Sequence, residues 1–241
     1  YNNPDYSDEG ASALAVDEQG NVYVTRTNIS SGTGSDYATL KYDPNGKLLW
    51  EQRYNGPSNG DDQVSALVVD EQGNVYVTGN SMGNGTGSDY ATLKYDSNGN
   101  LLWEQRYNGP GNYYDYAYAL ALDKQGNVYV TGASWGNGTG YDYTTLKYDP
   151  NGNLLWEQRY NGPSNDYDYA RALAIDARSN IYVTGYSPGN GTKSDYVTLK
   201  YDSNGNLLWE QRYNGLGNDE DVANAIAVDK QGVVFQSWIL H

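Results

Sequence analysis

The sequence repeats a unit of 53 residues without insertion or deletion, and this constrains the fold more than any other feature. The segment LLWEQRYNG occurs four times and carries Trp50, Trp103, Trp156 and Trp209. An aspartate that ends an apolar run recurs with the same spacing at Asp17, Asp70, Asp123, Asp176 and Asp229. A fixed period of this size is typical of architectures in which one supersecondary unit is copied and stacked.

Each unit contains four runs of strand length, which we call A, B, C and D. In the second copy they read ALVVD, NVYVTG, DYATLKYD and LLWEQRY, with the β-branched and aromatic residues that favour strands. The A–B and C–D links are short, of the type DEQGN and DPNG, and fit a type I turn followed by a left-handed glycine. The B–C and D–A links are longer and rich in Gly and Asn, which predicts loops.

Four antiparallel strands per unit predict an all-β fold, a β-propeller of four-stranded antiparallel blades with four full blades plus an incomplete fifth. We expect a single repeat domain over 1–241, with units at about 11–63, 64–116, 117–169, 170–222 and a partial 223–241. The four tryptophans are expected to pack between blades. A β-solenoid is the alternative, but its repeat is usually shorter and lacks the two hairpin turns.

The run ALAVDEQGNVYVTG…DYATLKYDPNGKLLWEQRYNG resembles the bacterial SBBP β-propeller repeat over residues 11–232. The stretch from Asp43 to Trp50 also resembles the tryptophan-docking motif of quinoprotein-type propellers. The second resemblance implies a packing role for Trp50, and we do not extend it to quinone chemistry.

Two segments depart from the repeat. The fourth A–B turn lacks its glycine and reads Ala177-Arg178-Ser179-Asn180, so we expect it to be strained or to change type. Residues 233–241 abandon the NVYVTG pattern, which predicts a fifth blade with strand A, a strand B from Val233 to Phe235, and no C or D. The free edge of this half blade predicts a homo-oligomer, with candidate edge residues Phe235, Trp238, Ile239 and Leu240.

Composition excludes several partners and reactions. A net charge of −15 disfavours nucleic acid, and no apolar run is long enough for a membrane span. The only His is His241 and Cys is absent, so triads and the usual zinc sites are unsupported. We therefore expect no enzyme activity and no cofactor. An acidic sequence rich in Gly, Asn and Tyr suits an extracellular or surface-exposed bacterial protein.

Carboxylates leave one catalytic alternative, a glycoside hydrolase that uses two acids. One column of acids precedes strand A, at Glu9, Asp62, Asp115, Asp168 and Asp221, and a second precedes strand C, at Asp36, Asp89, Asp142 and Asp195. Repeated units give similar environments, whereas a catalytic pair needs different ones. We expect these acids to cap loop N–H groups, with calcium bridging as an alternative.

The copies differ most in the B–C and D–A loops, which share one face of a propeller. The third and fourth units place aromatic rings beside acceptors there, which suits stacking on sugars or an aromatic hot spot for a protein. The candidate ligand-binding residues are Tyr113, Tyr114, Asp115, Tyr116, Trp135, Tyr167, Asp168 and Tyr169. The sequence thus predicts a non-catalytic scaffold that binds a glycan or a protein; the alternative is a recently amplified or truncated array with no specific ligand.

Overall fold

A computed structural model describes residues 10–30 and 32–240, and within them the chain is all-β, with 18 strands and no helix. The strands form four four-stranded sheets and one two-stranded sheet, each in chain order. Neighbouring strands pair antiparallel, as between β6 and β7 or β7 and β8. The predicted fold class, four full blades and an incomplete fifth, is confirmed.

The strand bounds repeat from blade to blade. Blade 1 consists of β1 (Ala11–Val16), β2 (Val22–Ser30), β3 (Gly34–Tyr42) and β4 (Leu48–Tyr54). Blade 2 consists of β5 (Asp62–Val69), β6 (Val75–Met82), β7 (Ser88–Tyr95) and β8 (Leu101–Tyr107). Blade 3 consists of β9 (Asp115–Leu122), β10 (Val128–Trp135), β11 (Tyr141–Tyr148) and β12 (Leu154–Tyr160). Blade 4 consists of β13 (Tyr169–Ile175), β14 (Ile181–Pro188), β15 (Ser194–Tyr201) and β16 (Leu207–Tyr213), and the half blade of β17 (Asp221–Val228) and β18 (Val234–Leu240).

The chain divides into two compact units, which we describe separately. Unit 1 comprises residues 1–108 and 112–117, and unit 2 comprises residues 109–111 and 118–241. Blades 1 and 2 lie in unit 1; blade 4 and the half blade lie in unit 2 with most of blade 3. The single domain expected over 1–241 stays a prediction.

The core of each unit forms where one blade packs on the next. In unit 1, Tyr23 and Tyr37 of blade 1 lie in one buried cluster with Val77 and Leu93 of blade 2. In unit 2, Tyr143 of blade 3 lies in the equivalent cluster with residues of blade 4. Strands B and C are the most buried, and all eight residues of β7 are buried. The apolar faces of the central strands are therefore covered by the neighbouring blade.

Aspartates build the tight turns. Asp17 accepts hydrogen bonds from the backbone N–H groups of Gln19 and Asn21 at 3.0 and 2.8 Å. Its second oxygen accepts from the Tyr23 hydroxyl at 2.9 Å, which ties the turn to strand B. The same bonds recur in the other complete A–B turns, so these acids serve the hairpins.

The fourth A–B turn keeps the geometry of the others. Ser179 donates its N–H to the Asp176 carbonyl at 3.0 Å, as glycine does in the other copies, and has a φ of 60°. Of the two outcomes expected from sequence, strain and a change of turn type, the structure shows the first. The serine is held in the left-handed region because the flanking strands fix the hairpin.

The fifth blade extends further than the sequence indicated. Strand β18 runs from Val234 to Leu240, and its register pairs Val228 with Val234 and Asp221 with Leu240. The prediction that strand B ends at Phe235 was therefore wrong. The sequence after it still alternates, with Gln236 partly buried and Phe235 and Ser237 exposed, and β17 supplies the backbone partners.

Candidate functional site

Four aromatic side chains gather on the loop side of unit 2, and we call them the aromatic platform: Trp135, Tyr141, Tyr167 and Tyr169. The Trp135 ring lies 4.9 Å from Tyr141 and 5.8 Å from Tyr167, measured between ring centroids. Tyr141 lies 5.5 Å from Tyr167 and 5.3 Å from Tyr169. Tyr167 is 47% exposed, so the platform offers a ring face to solvent.

The hairpin register and one loop contact bring these rings together. Trp135 ends β10 directly opposite Tyr141, the first residue of β11. The D–A loop joins them because the N–H of Asp168 donates to the carbonyl of Tyr141 at 2.6 Å. Tyr167 and Tyr169 flank that aspartate, so a single backbone bond places both rings.

The Asp168 carboxylate is a structural group of this loop. It is fully buried and accepts the N–H of Gly162 at 2.6 Å. Burial raises its pKa to about 6, against the opposing effect of the Gly162 N–H and the Ser187 hydroxyl. A ligand at the surface cannot reach this carboxylate, which corrects its place among the candidate binding residues.

Asp115 requires the same correction, because it too has no exposed surface. The equivalent Asp62 shows what such a carboxylate does, since it accepts the N–H groups of Gly56 at 2.6 Å and Met82 at 3.2 Å. Burial raises the pKa of Asp62 as well. The acids before strand A thus fix the loops, and Glu9 lies outside the described residues.

The remaining candidates form a separate group in unit 1. Tyr113 is 48% exposed, and its ring lies 4.4 Å from Tyr114 in an edge-to-face arrangement. Tyr114 stacks on Tyr116 at 6.1 Å with nearly parallel planes. These three rings form a second aromatic surface, which belongs to unit 1.

Three of the acids before strand C pair with arginines of strand D, while the fourth, Asp36, accepts a hydrogen bond from the Thr33 hydroxyl at 3.0 Å. In unit 2, Asp142 bonds Arg159 at 2.8 Å and Asp195 bonds Arg212 at 3.0 Å. Arg212 also donates to the hydroxyl of Tyr160, in the preceding blade, at 3.1 Å. In unit 1, Asp89 and Arg106 form the same pair at 2.9 Å. These three carboxylates are therefore engaged in fixed ion pairs within their own blades.

Trp156 and Trp50 lie against the next blade. The Nε1 group of Trp156 donates to the Ser203 carbonyl at 3.2 Å, and its ring covers Gly205, where an added Cβ would come within 3.0 Å. Trp50 makes the same two contacts with Ser97 and Gly99. Within their own blades, the ring of Trp103 contacts Tyr76 and the ring of Trp209 contacts Tyr182.

The candidate oligomer edge lies along β18. Phe235 is 57% exposed. The backbone of Trp238, Ile239 and Leu240 continues the strand, but their side chains lie outside the described part of the chain. Within the described residues β18 has one neighbour, β17.

Sequence reasoning missed Tyr141 and a cationic side chain beside the platform, Arg171. The Arg171 guanidinium carbon lies 4.7 Å from the ring centre of Tyr118, 5.5 Å from Tyr169 and 5.4 Å from Tyr186. The repeat contained the signal, because the column that holds Arg171 reads Ser, Ser, Tyr, Arg and Asn in successive copies. A column without a consensus marks a position that the fold does not dictate.

Two further features concern the described residues as a whole. They hold no group of three or more His, Cys, Asp or Glu side chains arranged for a metal ion. In the same part of the chain, no helix has the length and hydrophobicity that crossing a membrane requires.

These strands, turns and blade contacts define a repeat protein of the β-propeller type. The family model SBBP, a beta-propeller repeat, matches residues 50–85, 105–138 and 156–191. These three segments carry the SBBP β-propeller repeat, which confirms the first of the two resemblances seen in the sequence, while the resemblance to the tryptophan-docking motif stays a prediction.

Solved structures support the same fold. The β-propeller domain of the Trilobed protease from Pyrococcus furiosus superposes with a TM-score of 0.50 at 8% identity, over 85% of this chain and 57% of that one. A chimera of ACO and RPE65 gives 0.50 at 11% identity, over 97% of this chain and 57% of that one. At such identities the likeness concerns the fold alone.

A WD repeat-containing protein of Acanthamoeba polyphaga mimivirus is 26% identical to this chain. The match covers 61% of this chain and 14% of the viral protein. This chain thus spans a small part of the relative's length and just over half of the two structures.

Proposed function

We propose that this chain is a binding scaffold that holds a saccharide on the aromatic platform. The carrying observation is the cluster of Trp135, Tyr141 and Tyr167, whose rings meet at 4.9–5.8 Å with Tyr167 half exposed. Sugar rings present C–H faces that pack on aromatic faces, and rigid aromatic side chains lose little entropy on binding. The other full blades have no such cluster at these positions. In blade 4, for example, the positions equivalent to Trp135 and Tyr141 hold Pro188 and Ser194.

Three matched variants on a glycan array test this proposal. Tyr167→Ala and Trp135→Ala are expected to weaken saccharide binding by about tenfold each, since one stacking contact is worth about 0.5–1.5 kcal/mol. Tyr213→Ala is the control, because Tyr213 is 43% exposed and stacks on Tyr196. If no glycan on the array is bound, or if the control loses binding equally, the proposal is contradicted. Either result favours the alternative that this repeat protein has no specific ligand.

The proposal includes binding without catalysis. The acids that a glycosidase would need are otherwise engaged, since Asp168 holds a loop and Asp142 pairs with Arg159. We expect no turnover of chromogenic glycosides. Hydrolysis that disappears in Asp142→Asn would instead support the carboxylate mechanism.

We also propose that the free edge of β18 pairs with β18 of a second copy. An exposed strand edge carries unpaired backbone donors and acceptors and invites a further strand. Antiparallel pairing about a two-fold axis would join two half blades into one four-stranded sheet, the number of strands in each full blade. An extracellular or cell-surface location, where saccharides are abundant, belongs to the same proposal.

A further inference from the structure

Arg171 differs from the other partly buried arginines of unit 2. Arg159 and Arg212 each bond a carboxylate, Asp142 at 2.8 Å and Asp195 at 3.0 Å. Arg171 makes no ion pair with any described residue, and its surroundings are the rings of Tyr118, Tyr169 and Tyr186. Its charge is therefore balanced by ring faces and by no fixed anion.

The hydrogen-bonding capacity of this guanidinium is largely unused. Nη2 donates to the hydroxyl of Tyr186 at 3.3 Å, a long bond. Nε is buried and has no acceptor. A buried donor without a partner costs about 1–3 kcal/mol, and a guanidinium offers five donors in a planar fork that matches a carboxylate.

Arg171 contacts one ring of the aromatic platform, that of Tyr169. Tyr169 is shared, because its ring contacts Tyr141 at 5.3 Å on one side and Tyr186 at 5.1 Å on the other. A continuous row of rings thus leads from the half-exposed Tyr167 to the guanidinium. The guanidinium is therefore separated from the half-exposed Tyr167 by two rings, those of Tyr141 and Tyr169.

We propose that Arg171 binds the carboxylate of an acidic saccharide, and that the platform therefore prefers uronate-containing ligands over neutral ones. This inference rests on the proposed saccharide binding and adds the ligand class. Carboxylate binding would give the guanidinium two charge-assisted hydrogen bonds in place of the missing acceptors. The three tyrosines keep the fork oriented by cation–π contact.

The test compares uronate oligosaccharides with their carboxyl-reduced counterparts, which differ only in CH2OH for COO⁻. The full chain is expected to bind the acidic form at least tenfold more tightly, and Arg171→Gln to bring this ratio close to one. Arg171→Lys keeps the charge without the fork and should retain a smaller preference. Arg178→Gln is the control, since it removes the same charge from an exposed A–B turn.

Each outcome decides between the two proposals. Equal binding of both forms, still dependent on Tyr167, overturns the acidic preference and leaves the saccharide platform standing. Failure of both forms to bind overturns both. A preference that survives Arg171→Gln, or that falls equally in Arg178→Gln, shows that the general charge is responsible; thermal unfolding of the lysine variant separates loss of binding from loss of fold.

Discussion

Ser179 is the one described A–B turn position where a residue other than glycine takes a left-handed φ. A β-carbon in this region costs about 1–2 kcal/mol, partly offset because glycine has more freedom in the unfolded chain. We expect Ser179→Gly to raise the free energy of unfolding by about 1 kcal/mol, measured by urea denaturation. The Oγ of Ser179 lies 3.5 Å from Oε1 of Gln125, a weak contact to lose.

Gly126 supplies the matched control for this change. It occupies the same position one blade earlier, with a φ of 79° and only ordinary contacts around an added Cβ. Gly126→Ser should lower stability by a similar amount. If both substitutions leave the urea midpoint unchanged, the turns are not strained by their residue type.

Asp168 makes stability depend on pH in an unusual direction. Its pKa is raised from 3.8 to about 6 by burial, so the folded chain holds a proton that the unfolded chain has lost between these values. The stabilisation is complete below about pH 4 and lost as the pH rises through 6, a total of about 2–3 kcal/mol. The difference in unfolding free energy between the native chain and Asp168→Asn should fall by this amount from pH 4 to 7.5.

Asp149 provides the opposite case for comparison. Hydrogen bonds from the side chain and backbone N–H of Asn153 lower its pKa, so its contribution is present above pH 4 and lost as the medium becomes more acidic. The difference in unfolding free energy between the native chain and Asp149→Asn should stay constant between pH 5 and 7.5. A slope there equal to that of Asp168→Asn would contradict our assignment.

At the level of elements, the docking of strand D on the next blade is where the repeat gains its packing. Trp156 donates to the Ser203 carbonyl and lies against Gly205. Lys147, paired opposite it on strand C, donates to the same carbonyl at 2.9 Å. The C–D turns of blades 2 and 4 thus serve both their own hairpin and the preceding blade.

Trp156 and Trp209 form an internal pair that isolates this docking. Trp156→Ala removes a ring and a hydrogen bond at the blade interface and should cost about 3 kcal/mol. Trp209→Ala should lower the free energy of unfolding clearly less, because Nε1 of Trp209 bonds no acceptor in the described chain. Chemical denaturation of both variants measures the difference, and equal losses would mean that the tryptophan stabilises its own blade only.

At the scale of the whole molecule, the proposed pairing of half blades predicts the oligomeric state. If β18 pairs with a second copy, light scattering at micromolar concentration should give the mass of two chains. Phe235→Lys places a charge on the exposed edge, where lysine opposes strand pairing, and should give the mass of one. A native chain that scatters as a monomer eliminates this interface.

The amount that sequence predicted differs between the fold and the site. Strand number, strand order and the two tight turns follow from local signals such as Asp70-Glu71-Gln72-Gly73, and the structure reproduces them. Trp135 and Tyr167 were recognisable as aromatic substitutions in variable loops. Asp115 and Asp168 were placed wrongly, because the same loop pattern describes an exposed acceptor and a buried cap.

The period alone determined that this chain folds as copied four-stranded sheets, since hairpin chemistry and strand alternation act over a few residues and recur every 53. Only the tertiary structure decided which polar side chains face solvent. Arg171 contacts Tyr118, one repeat earlier, and Tyr186, on the neighbouring strand β14, so its environment depends partly on how one blade lies on another. Packing of blade 4 on blade 3 within unit 2, which no local pattern encodes, left the Arg171 side chain among aromatic rings and without an anionic partner in the described residues.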